Sequence, residues 1–251
     1  MAEYLPGSLT ADERHRRHLL LVEVEKRRIA IEAALARPDV RRLCADFAHK
    51  SPVGRARALK RLKWAFAAAD FRAVRLSPPL AIWSFCKLRT RNEVEEWPDI
   101  GPDPGDRQGR LVVYNLAAGQ LGGGLVWGSC SWRLELALHT AGRICGAWKS
   151  AVNYDVLELI TKAHETLLCA SAEFVLAHRA GFLLPVGDEG RLLCKLDEAA
   201  DGSLYVVARG WLIPGRKVRG ITATAPMATN AEDQLAHRLW PRAPVARSRA
   251  A

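Results

Sequence analysis

The sequence predicts an α+β fold: a basic N-terminal helical module, then a helix pair packed on an antiparallel sheet. Three observations carry this expectation. Helix-start signals recur through residues 1–76. Three short apolar runs divided by Gly and Asp turn signals fill 182–213. Two helix-length patterns lie between those runs and an earlier pair of strand-like segments. The chain is therefore expected to divide into a helical module over 1–76, an α+β body over 77–213 and a basic, partly flexible tail over 214–251.

Thr10 with Glu13 three residues on is a capping-box pattern, and no Gly or Pro follows until Pro38, so one long helix is expected there. Pro38 suits the first turn of a short second helix. Ser51-Pro52 is a cap followed by proline, opening a third helix that ends near Asp70. Ser77-Pro78-Pro79 stops any helix and leads into a strand over 80–89. Residues 92–109 collect Pro, Gly and acidic residues and read as an exposed loop. A buried strand is expected over 110–116, then a glycine-rich stretch over 119–128, a helix from Trp132 to Trp148 and another from Asp155 to about His178. The runs 182–186, 191–196 and 204–213 complete the pattern as an antiparallel meander.

Of the 251 residues 49% are apolar and 25% charged, the balance of a chain that buries a core. No run approaches the roughly 18 to 20 apolar residues of a membrane span, and Met1 to Thr10 lack the order of a secretory signal, so a cytoplasmic protein with no membrane partner is expected. The six cysteines, Cys44, Cys86, Cys130, Cys145, Cys169 and Cys194, form no CxxC pair and sit among apolar neighbours, as reduced core thiols do. His164 and His178 are about 21 Å apart along one predicted helix and cannot share an ion. No metal and no cofactor is expected.

The net charge of +10 is unevenly spread. Residues 1–75 hold 17 Lys and Arg against 9 Asp and Glu, and residues 214–251 hold 7 against 2, while 76–213 hold 13 against 16. A concentrated excess makes a field, and Arg pairs bidentately with phosphate oxygens, so nucleic acid is the expected partner. The densest cluster is Arg55, Arg57, Lys60, Arg61 and Lys63; on a helix Arg57, Lys60 and Arg61 share a face opposite Leu59, Leu62 and Phe66. The competing reading is a solvated helix face. Trp83 and Phe85 alternate along a strand with Lys87 and Arg89, the arrangement of a sheet that stacks unpaired bases, which favours RNA or a single strand.

Two other functions compete. His139 and Arg143 lie four apart in the predicted helix from Trp132, so they share a face suited to proton transfer and charge stabilisation at a phosphodiester, although Glu135 extends the same face as an ordinary ion-pair ladder. The element order of 131–213, with these two residue types, resembles the metal-independent ribonuclease toxins; that resemblance implies RNA cleavage. Leu21, Val24, Ile31 and Leu35 on the first helix suit packing against a protein partner, as in a subunit of a nucleoprotein assembly. Gly119 to Gly124 lacks both a Walker A ending and the GxGxxG spacing, and Gly128-Ser129-Cys130-Ser131 lacks GxSxG, so neither names a reaction. A flexible hairpin and a helix N-cap at Ser131 are the simpler readings.

Overall fold

The computed structural model describes residues 8–67, 73–77, 80–90, 109–119, 125–128, 133–147, 153–199, 202, 204–214, 221 and 223–227. It is α+β. Three helices open the chain: α1 (Ala11–Ala36), α2 (Pro38–Ala45) and, after a 3-10 turn at Phe47–His49, α3 (Pro52–Ala67). Strands β1 (Ala73–Ser77), β2 (Leu80–Thr90), β3 (Gly109–Gly119), β4 (Leu125–Gly128) and β5 (Arg133–Ala137) follow. Helices α4 (Leu138–Ala147), α5 (Asn153–Cys169) and α6 (Ala172–Ala177) precede β6 (Phe182–Val186), β7 (Gly190–Glu198) and β8 (Leu204–Leu212).

The first three helices start where the sequence puts them. The Thr10 hydroxyl accepts from the Glu13 backbone N–H at 3.2 Å and the Thr10 N–H donates to the Glu13 carboxylate at 2.7 Å, closing the capping box. Pro38 begins α2, and the Ser51 hydroxyl accepts from the Gly54 N–H at 3.2 Å at the start of α3.

All eight strands join one sheet, in the order β1-β2-β3-β5-β8-β7-β6, with β4 paired to β3. The β6-β7-β8 meander is antiparallel, as expected. The sheet as a whole is mixed, because β5 runs parallel to β8: Arg133 faces Tyr205 and Glu135 faces Val207. Chain that leaves β5 through α4, α5 and α6 returns by way of β6 and β7 before β8 docks beside its starting strand, and a crossover of that length permits a parallel pair.

Helices cover one face of the sheet. Cys86, Leu111, Val113, Leu134, Leu136, Leu196 and Val206 meet Leu20 and Val24 of α1, Ile144 of α4 and Ile160 and Leu167 of α5 in the main core. A second core, built of Ile31, Ala34, Val40, Phe47, Ala58, Leu62 and Phe66, joins the far end of α1 to α2 and α3. The long helix thus belongs to both cores. The 1–76 segment is tied to the body through the first half of α1, and β1 pairs with β2 across residue 77.

Two expected helices are corrected. Residues 133–137 are strand, not helix, since Leu134 and Leu136 alternate with Arg133 and Glu135 with the two-residue period of a sheet. The helix from Asp155 to His178 ends at Cys169 and restarts as α6, with Ser171 as its N-cap through a 3.3 Å bond from the Phe174 N–H. Part of the tail is also ordered. Leu183 of β6 donates to the Ala223 carbonyl and accepts from the Ala225 N–H, each at 2.8 Å, so 223–225 lie along the sheet edge, and Ile221 covers Leu183, Leu193 and Leu212. The loop over 92–108, the glycine-rich residues 120–124, the Ser129–Ser131 segment and the tail beyond 227 lie outside the described residues. The glycine-rich stretch joins the antiparallel strands β3 and β4, with Ala118 opposite Leu125.

Candidate nucleic-acid interface

α3 contains five basic residues and no Asp or Glu, and the second core decides which way each points. Ala58, Leu62 and Phe66 are buried, which turns Arg57, Lys60, Arg61 and Lys63 outward; all four are exposed. Arg55 is half-buried, and its Nε donates to the Lys50 carbonyl at 2.9 Å, so it ties α3 to the preceding turn.

The other basic residues of this region are largely neutralised. On α1, Arg16 pairs with Asp12 at 2.8 Å, Arg27 with Glu23 at 2.8 Å, and Arg28 with both Glu25 at 2.6 Å and Glu32 at 2.5 Å. Arg37 pairs with Asp39 at 2.8 Å. The Arg37 guanidinium holds the Asp39 carboxyl below its ordinary range. Among the described residues, Arg42, Arg57, Lys60, Arg61 and Lys63 have no carboxylate partner. The uncompensated charge is therefore concentrated on α3 and the adjoining edge of α2.

Trp64 sits inside this patch and is 72% exposed. It follows Lys60 and Arg61 by one helical turn and Arg57 by two, so an indole face stands among three cations. A cleft of about 650 Å³ opens beside it between α2 and α3, walled by Trp64, Arg61 and Ala65 on one side and by Arg42, Leu43 and Lys50 on the other. The aromatic residues that the sequence puts forward for base stacking are Trp83 and Phe85, not Trp64. The signal for Trp64 was its helical phase: it falls on the cationic face while Leu62 and Phe66 fall on the buried one.

The strand candidates lie elsewhere. Lys87 and Arg89 are half-buried on β2, opposite Val112 and Arg110 in the β3 register, and Lys87 is close enough to Glu25 of α1 to help lower its carboxyl, an effect that comes chiefly from Arg28. Neither lines the cleft. The side chains of Trp83 and Phe85 lie outside the described residues; their backbones pair with Leu116 and Tyr114.

The proposed proton-transfer pair is corrected. His139 is 2% exposed, one of the buried residues of α4. The Arg143 guanidinium donates to Glu13 at 2.9 Å and to the Ser8 carbonyl at 3.3 Å, fastening α4 to the start of α1. Burial opposes ionisation of Glu13, but bonds from Thr10 and the charge of Arg143 outweigh it and hold the carboxyl below its usual range. Glu135 is on β5, so no i, i+4 ladder joins it to His139; the order of helices before a meander is kept, but its first helix begins only at Leu138, after a strand. His178 is also engaged, its Nδ1 2.8 Å from the Phe174 carbonyl and its ring stacked on Phe174. Among the described residues no group of three or more His, Cys, Asp and Glu is placed to hold a metal.

The partner stripe on α1 is corrected as well. Val24 and Ile31 are buried in the chain's own cores, with Leu21 and Leu35 packed against them, so this face is already occupied. The exposed apolar residues of α1 are Leu19, Val22 and Ile29. No described helix is long and apolar enough to cross a membrane.

Comparison with protein-family models, with curated proteins and with solved structures finds no match.

Proposed function

We propose that the protein binds nucleic acid, RNA or a single strand in preference to a duplex, through the exposed face of α3. One observation carries the reading. α3 presents Arg57, Lys60, Arg61 and Lys63 to solvent without a carboxylate partner among the described residues, whereas Arg16, Arg27 and Arg28 of α1 are paired along their own helix. Phosphate binding gains from releasing condensed counterions, and paired cations have less to gain because they must first give up their carboxylates.

The test is binding of the purified protein to fluorescent single-stranded RNA, single-stranded DNA and duplex DNA across a salt series. Tight binding at low salt is expected, with log Kd rising linearly with log salt. Charge reversal at Arg57, Lys60 and Arg61 should lower the slope for single strands by about 2, at roughly 0.7 for each phosphate no longer neutralised. An unchanged slope and affinity would sink the reading. RNA should be recovered intact, because His139 is enclosed and Arg143 is held by Glu13. Failure of the wild type to bind any strand would turn attention to Leu19, Val22 and Ile29 as a protein contact.

A further inference from the structure

We infer that the cleft between α2 and α3 captures one unpaired nucleotide, its base stacked on Trp64 and its phosphate held by Arg42 and Arg61. The inference rests on the polyanion reading and adds a defined subsite to it.

The side chain of Trp64 is the first reason. An indole is among the largest apolar groups a chain can bury, yet this one is 72% exposed while Leu62 and Phe66, two positions to either side, are fully enclosed. The helix has an apolar face to fill and leaves Trp64 off it. Stacking on an exposed indole needs no particular base, since every base has a π face.

The charge of the cleft is the second reason. Arg37 is matched by Asp39 at 2.8 Å and Lys50 by Asp46 at 4.0 Å, which leaves the guanidinium groups of Arg42 and Arg61, on opposite walls, without a carboxylate partner among the described residues. Guanidinium forks match the geometry of phosphate oxygens. Leu43 and Ala65 supply the apolar surface a base edge needs once it leaves water.

Size is the third. A cleft of about 650 Å³ lies within the roughly 300 to 1,000 Å³ of small-ligand sites and accommodates a nucleotide. A duplex keeps its bases stacked on one another and cannot present a free face to an indole seated in a cleft, so the site discriminates by strandedness and not by sequence. The Lys60 and Arg57 side chains, exposed on the same face of α3, then take neighbouring phosphates of the strand.

The experiment compares Trp64→Ala and Trp64→Phe with wild type on fluorescein-labelled 12-residue oligouridylate, oligothymidylate and an RNA duplex of equal length. Trp64 is exposed, so both variants should fold, with unchanged circular dichroism. Trp64→Ala is expected to weaken binding to the two single strands by about 5- to 100-fold, to leave duplex binding within about twofold, and to leave the salt slope unchanged. Trp64→Phe should restore most of the affinity, because a benzene ring still stacks. Arg61→Ala should lower the slope by about 0.7. Equal weakening on single strands and duplex, or full affinity with Trp64→Ala while charge reversal on α3 still abolishes binding, would overturn nucleotide capture and leave the polyanion reading standing. No binding by the wild type would overturn both. Weakening on oligouridylate alone would narrow the site to RNA.

Discussion

Glu135 is fully buried on β5 and accepts from two guanidinium groups, Arg110 at 2.7 Å and Arg133 at 2.7 Å. Desolvating three charges is costly, and the cost is offset here by short charge-assisted bonds and by the Tyr205 ring, whose centroid lies 5.1 Å from the Arg133 guanidinium carbon. Burial, together with the Asp197 carboxylate, raises the Tyr205 phenol above its ordinary value, so it stays protonated beside these groups. Removing the shared anion leaves two cations facing each other with no charge between them. Glu135→Gln is expected to cost about 3–5 kcal/mol, read as a lowered midpoint in urea unfolding; a wild-type midpoint would mean that the guanidinium groups reach solvent. The sequence placed this residue on a helix beside His139, because a charged residue every fourth position is also what a solvated helix offers.

The union of α1 with α4 depends on two glycines one turn apart. A Cβ added at Gly142 would stand 2.5 Å from Leu9 Cδ1, and one at Gly146 would stand 2.6 Å from Glu13 Cγ, so the start of α1 reaches α4 only because these positions are bare. Gly146→Ala is expected to destabilise the protein even though alanine is favoured over glycine in a helix by about 1 kcal/mol, since the methyl pushes Glu13 away from Arg143. Thermal unfolding checks the sign, and a raised Tm would show that α1 slides without penalty. Helix starts and the β6-β7-β8 hairpins were legible because caps and turns are local chemistry. The β5–α4 junction was missed because Arg133 to Ala137 alternates for only five residues before a helix begins, too short a run to outweigh the helical pattern after it.

The two cores share one helix, so the molecule should unfold as a unit, and its pH dependence reports the buried thiols of the main core. Burial pushes Cys86 up to about 12 and Cys145 up to about 11 from an ordinary 9.0, and raises Cys194 as well. Above about pH 9 the unfolded chain releases protons that the folded protein keeps. Stability from these groups is therefore complete below about pH 9 and declines as pH rises through the folded-state values. The urea midpoint should fall between about pH 9 and 11, and Cys86→Ala should flatten that fall. An identical slope in the variant would assign the alkaline decline to other groups.

Local signals by themselves determined the α+β class, the starts of the first three helices, the antiparallel meander, the burial of Cys86, Cys145, Cys169 and Cys194, though not of the half-buried Cys44, and the concentration of basic residues on α3. These depend on a residue and its near neighbours, and the chain keeps them wherever it folds. Tertiary structure alone decided that β5 pairs in parallel with β8, that His139 is enclosed, that Arg143 serves α1, and that Trp64 borders a cleft with Arg42. Each of those facts turns on which surface comes to rest against which, and the partner lies on another element of the fold, from tens of residues away for Arg42 to more than a hundred for Arg143. Spacing along the chain carries no record of that choice.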